Sequence, residues 1–148
     1  MLATLIRSFA VIFLSAMMFG LADAASGPVV RIALEDSSTG GSLSDIRITL
    51  DQNMIKAGRI TFQAVNRSGT LVHDVIVGKT AAKAPELPYS EKQARVAESR
   101  IRRLGEISDL KPGASGSLTL SLEPGYYLLI CNQPGHFKAG MKVSLEVR

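Results

Sequence analysis

Cysteine and histidine are scarce in this sequence: Cys131 stands alone, and His73 and His136 are the only two histidines in 148 residues. One cysteine excludes an intrachain disulfide framework and leaves a thiol to be accounted for. Long apolar runs are missing as well. The longest, Phe9–Leu21, has thirteen residues, short of the ~20 that cross a bilayer. No run of basic residues interleaved with aromatics occurs, which removes the usual basis for nucleic-acid binding. The net charge of +4 is a mild basic bias that suits an acidic protein partner.

What is present begins with the N-terminus. Residues 1–24 have the zones of a secretory signal: Arg7 for positive charge, the Phe9–Leu21 stretch, and Ala22-Asp23-Ala24 as a small-x-small cleavage site. Cleavage after Ala24 is expected, with export to the periplasm or beyond. Retention as a membrane anchor is the alternative and would leave the chemistry of the domain unchanged. Residues 25–148 then form one domain, long enough to bury a real core and expected to be monomeric. Exported cysteines normally pair, so Cys131 must be a buried inert residue, half of an intermolecular disulfide, a nucleophile or a metal-bound thiolate.

From Val29 onward, short alternating segments are broken by Gly, Asn, Asp, Ser and Pro, the pattern of strands joined by turns. Strands are expected over 29–35, 46–50, 58–66, 71–78, 105–109, 116–122, 126–131 and 141–147. Ile46, Ile48 and Leu50 share one face, as do Leu118, Leu120 and Leu122. One buried and one wet face implies an all-β antiparallel sandwich. An Ala/Pro-rich linker covers 80–88. After it, 90–104 has helical spacing, with Ala94, Ala97, Ile101 and Leu104 on one face and Lys92, Arg95, Arg102 and Arg103 on the other. Ser90 with Gln93 three residues on forms a capping-box pattern, and Gly105 supplies a stop. An amphipathic helix inserted between strands is therefore expected.

The chemistry-bearing residues converge on one pattern. Cys131, His136 and Met141 are each separated by four residues in the loop CNQPGHFKAGM, and His73 lies in a distant strand. Thiolate, two imidazoles and a thioether are the donor set of a trigonal His2Cys copper site with a weak axial methionine. Such a mixture on a rigid frame favours neither copper(I), which prefers soft sulfur, nor copper(II), which prefers nitrogen. Pro134-Gly135 and Gly140 provide turns that fold the loop over one ion. Met141 opens a strand and has a second reading as core, with the axial position then left to a backbone oxygen. Met54 is read as packing. Paired-cysteine zinc spacings and the haem signature C-x-x-C-H are both missing.

These residues resemble the cupredoxins, the small blue copper proteins, in particular the plastocyanin, azurin and auracyanin group. The resemblance runs from VVRIALED through AGRITFQAVNRSGTLVHD to PGYYLLICNQPGHFKAGMKVSLEV. It implies a Greek-key β-sandwich of about eight strands, one type 1 copper ion, and His73, Cys131, His136 and Met141 as its ligands. It also implies an apolar patch around His136 as an electron port, to which Pro134, Phe137, Ala139 and Gly140 would contribute. Asp74 is implied to hydrogen-bond the ligand loop, with Asn132 as the receiving end; both as exposed turn residues is the other reading. Ile130 stands where plant-type plastocyanins carry a tyrosine, so that second electron route is not expected. The loop spacing is closer to auracyanin-like members than to plastocyanin or azurin.

The resulting expectation is a non-enzymatic carrier of single electrons between redox proteins. Copper delivery, storage or resistance is the alternative, disfavoured by the lack of methionine- or histidine-rich tracts. A copper enzyme would need a second site with further histidines, and a nucleophilic Cys131–His136 pair lacks an orienting third residue in the loop.

Overall fold

The computed structural model describes residues 27–36 and 43–148; the expected export signal lies outside the described residues. Eleven strands are present among them: β1 (Val29–Glu35), β2 (Arg47–Leu50), β3 (Met54–Ile55), β4 (Gly58–Asn66), β5 (His73–Thr80), β6 (Tyr89–Ser90), β7 (Arg95–Val96), β8 (Arg102–Leu110), β9 (Ser115–Leu122), β10 (Gly125–Ile130) and β11 (Lys142–Val147). One sheet has the order β2-β1-β4-β9, the second β3-β11-β10-β5-β8, and β6-β7 form a separate ribbon. Most neighbours are antiparallel, but β1 runs parallel to β4 and β3 parallel to β11. The chain therefore crosses between sheets, as a Greek-key sandwich requires. No helix among the described residues is long and apolar enough to cross a membrane.

Alternation places the core. Val30, Ile32 and Leu34 of β1 and Ile60, Phe62 and Ala64 of β4 point inward, against Val75 and Val77 of β5, Tyr127 and Leu129 of β10, and Leu145 and Val147 of β11. Each large side chain removed from water in this way contributes roughly 1.5–3 kcal/mol before entropy is counted. Met54 departs from its expected packing role, being 45% exposed on the short edge strand β3.

The second sheet carries apolar side chains on its outer face too. Ile76, Leu128 and Ile130 are buried there with Val96 and Phe137, and Leu87, Tyr89 and Ile101 pack against them. Their cover is the segment read from sequence as a helix over 90–104, and that expectation is corrected. The segment instead forms the β6-β7 hairpin, a 3-10 turn at Glu98–Arg100 and the start of β8. The hydroxyl of Ser90 does accept the Gln93 amide at 3.3 Å, so the cap pattern is real, but it closes a turn. Two tertiary interactions override the helical spacing. Arg102, Arg103 and Gly105 pair with Lys79, Gly78 and Val77 as an extension of β8. Ile101 lies over Gly78, so closely that a Cβ on that glycine would be 2.5 Å from the Ile101 side chain.

Candidate metal centre

His73 opens β5 and is aimed by the turn before it. Asn66, buried at the end of β4, donates through its side-chain amide to the carbonyls of Leu71 at 2.8 Å and Leu110 at 2.7 Å, and accepts the Ser68 amide at 2.9 Å. The Ser68 hydroxyl accepts the Leu71 amide at 2.9 Å and contacts the Asp36 carboxylate. These bonds satisfy the buried polar groups of the turn and fix the strand entry. A register shift between His73 and Val75 then re-aims the first residue of the strand against β8.

Cys131 follows β10 directly, and the loop closes on itself before β11. The Cys131 amide donates to the Met141 carbonyl at 3.1 Å, and the Met141 amide to the His136 carbonyl at 3.0 Å. Gly135 and Gly140 adopt φ of 84° and 112°, conformations that side chains other than glycine's resist, so the turn residues read from sequence have the geometry that required them. Met141 is fully buried in the main core.

The donor atoms converge. Cys131 Sγ lies 3.4 Å from His136 Nδ1 and 3.8 Å from His73 Nδ1, and the two Nδ1 atoms are 3.1 Å apart. Among the described residues these three are the group able to share one metal ion, with donor atoms within 4.8 Å of one another. His73 and Cys131 are sealed from solvent, and His136 is 5% exposed. His73 Nε2 is buried without a hydrogen-bond partner, so packing and the Nδ1 side hold the ring.

Burial also sets the protonation chemistry. Desolvation, reinforced by His136, holds His73 down to about 4, and burial lowers His136 as well. Both imidazoles are therefore neutral donors at pH 7. Burial pushes the Cys131 thiol up to about 11, against backbone amides of Asp74 and Gln133 that favour the thiolate. The Asp74 amide reaches the sulfur at 3.3 Å. A thiol this buried ionises at neutral pH only beside a compensating cation. Two neutral imidazoles, one such thiol and a neighbouring thioether residue fit a single type 1 copper ion.

Two expectations about the surroundings change. Asp74 is buried, not an exposed turn residue, but its carboxylate accepts from the Gln133 side chain at 2.9 Å rather than from Asn132. Asn132 faces the opposite way and braces β7: its side chain accepts the Val96 amide at 2.8 Å and donates to the Val96 carbonyl at 3.1 Å and to Glu98 at 3.0 Å. Phe137, expected at the surface, is 7% exposed and stacks on Tyr89 with centroids 6.2 Å apart. Pro134 and Gly140 remain exposed in the loop that carries His136, and a Cβ on Gly135 would meet the Leu43 side chain. Sequence reading also missed Arg95 as a neighbour of this loop. The signal for an outer layer was there, since LVHDVIV and YYLLIC are apolar on both faces and a one-sided strand would alternate.

A buried donor cluster at one end of a Greek-key sandwich defines the cupredoxin class of fold. The auracyanin of the photosynthetic bacterium Roseiflexus castenholzii, solved in a dithionite-reduced state, is similar at 23% identity, covering 84% of this chain and 98% of that one, with a TM-score of 0.55. Auracyanin A, a "blue" copper protein of Chloroflexus aurantiacus, matches 82% of this chain and 100% of its own at 23% identity and TM-score 0.52. Rusticyanin of Thiobacillus ferrooxidans matches 83% of this chain and 79% of its own at 17% identity and TM-score 0.57. No family model matches the chain, and no curated protein matches it by sequence. At these identities the likeness establishes the fold.

Proposed function

We propose that this protein binds one copper ion through His73 Nδ1, His136 Nδ1, Cys131 Sγ and the Met141 thioether, and carries single electrons between exported redox partners. The observation that carries the reading is the convergence of two neutral imidazole nitrogens on one buried sulfur. Bound there, copper would supply a one-electron couple. The chain's own residues do the rest. β5 and the 131–141 loop hold the donors on a closed frame, which limits reorganisation between oxidation states, and the core excludes water from the sulfur. His136 is the donor residue that reaches the surface, in the loop that also exposes Pro134 and Gly140, and is the natural exit for the electron. Burial of the cluster favours electron carriage over copper delivery, because release would require the loop to open. No substrate is turned over in this reading, and the partners are redox proteins, acidic ones favoured by the basic chain.

The test is an absorption and electron paramagnetic resonance spectrum of the copper-loaded protein, with Cys131→Ser as control. An intense thiolate-to-copper band that vanishes in the variant is expected. The same band persisting without the sulfur would refute the site. Export is tested separately: a periplasmic fraction should yield a chain whose N-terminus is Ala25.

A further inference from the structure

We propose that Arg95 is a positioning residue for this centre, fixing the peptide that follows Cys131 and holding the reduction potential of the bound copper up through its positive charge. The inference rests on the copper reading above. Arg95 lies on β7, in the hairpin laid over the outer face of the second sheet. Its guanidinium donates to the Asn132 carbonyl at 2.6 Å and to the Gln133 side-chain oxygen at 3.4 Å. Asn132 is bonded directly to the sulfur-bearing residue. Gln133 in turn donates to Asp74, whose amide donates to Cys131 Sγ. A chain of contacts therefore runs from the guanidinium around to the sulfur.

Three further features concentrate the effect at this residue. The hairpin is anchored to the loop on both sides of Arg95: the Ala94 carbonyl accepts the Gly135 amide at 2.7 Å, and Val96 exchanges two bonds with the Asn132 side chain. Ala94 itself, the last residue of the turn, has φ 50°, a conformation costly for a non-glycine residue. Finally, both acceptors of the guanidinium are neutral, and among the described residues no carboxylate pairs with it. Of the nearby acids, Glu98 pairs with Arg103 and accepts from Asn132, while Asp74 accepts from Gln133, the side chain that Arg95 itself contacts. At Cys131 and His136 the guanidinium favours the thiolate and opposes a positive imidazole, offsetting part of the larger, opposite effect of the Asp74 carboxylate. A positive field at the donor atoms destabilises copper(II) relative to copper(I), which raises the potential.

The experiment is a redox titration of the copper-loaded full chain as wild type, Arg95→Gln and Arg95→Lys, with the thiolate-to-copper band as a check on each. Gln keeps an amide donor for the Asn132 carbonyl but no charge; Lys keeps the charge. Arg95→Gln should shift the reduction equilibrium about three- to tenfold toward the oxidised form, the upper value being ~59 mV for one electron. Arg95→Lys should stay within about twofold of wild type. A wild-type potential in Arg95→Gln, or equal falls in both variants, would overturn the role of the charge. A wild-type protein with no thiolate-to-copper band would instead overturn the copper reading itself.

Discussion

Asn132 shows how one amide can hold two parts of a fold together. Its side chain fills both backbone groups of Val96, in the way an adjacent strand would, and adds a bond to Glu98. Asn132→Ala would leave the buried Val96 amide unsatisfied, a loss of about 1–3 kcal/mol, measurable as a lower midpoint in denaturant unfolding. His73 makes a second residue-scale prediction, for protein stripped of metal by chelation. In the fold it takes up a proton only near 4, whereas the unfolded chain does so near ~6.5. The unfolded state therefore binds more protons between those values, and stability should fall as pH drops from about 6.5 to about 4, by up to ~3 kcal/mol, then level off. Thermal melts of the stripped protein across that range check the sign. His73→Gln should make the profile shallower, leaving the part contributed by His136, which burial also lowers.

At the scale of elements, the strands that alternate cleanly were legible before any coordinates, because a single buried face imposes its period on the residues. β1, β4 and β9 are of this kind. The 90–104 segment was not legible, since its spacing and its Ser90 cap suit a helix and only its neighbours decide otherwise. Gly78 makes room for Ile101, and the open edge of β5 recruits Arg102 and Arg103 into β8. The clustering of Cys131, His73 and His136 was legible for a different reason: these types are rare enough in the chain that their proposed roles do not dissolve into packing. Asn66, Asn132 and Arg95 are common types with ordinary structural uses, and nothing short of the folded contacts distinguishes them. Phe137 tests the outer layer directly. It joins the 131–141 loop to the hairpin by stacking on Tyr89, so Phe137→Ala should cost about 3 kcal/mol or more and expose the chain near 89–100 to limited proteolysis.

For the molecule as a whole, charge governs encounter. The excess of four positive charges is spread over a surface where several cations already pair, among them Lys138 with Glu91 and Lys79 with Glu123. Such exposed pairs add little to stability. The residual field matters more for approach than for folding. The bimolecular rate of electron exchange with an acidic redox protein should therefore fall as ionic strength rises through the range where the screening length shrinks to about 8 Å. Stopped-flow mixing at several salt concentrations reads this, and a rate indifferent to salt would point to docking through apolar contact alone.

The complete burial of Cys131 has a use beyond the proposed centre. With no other cysteine in the chain, a thiol-reactive dye has one target, and it can reach that target only when the loop or the sandwich opens. In protein freed of metal, the labelling rate is thus a clock for opening: fast if the 131–141 loop swings out on its own, and as slow as global unfolding if it cannot. The sulfur is its own reporter, and it needs no engineered probe.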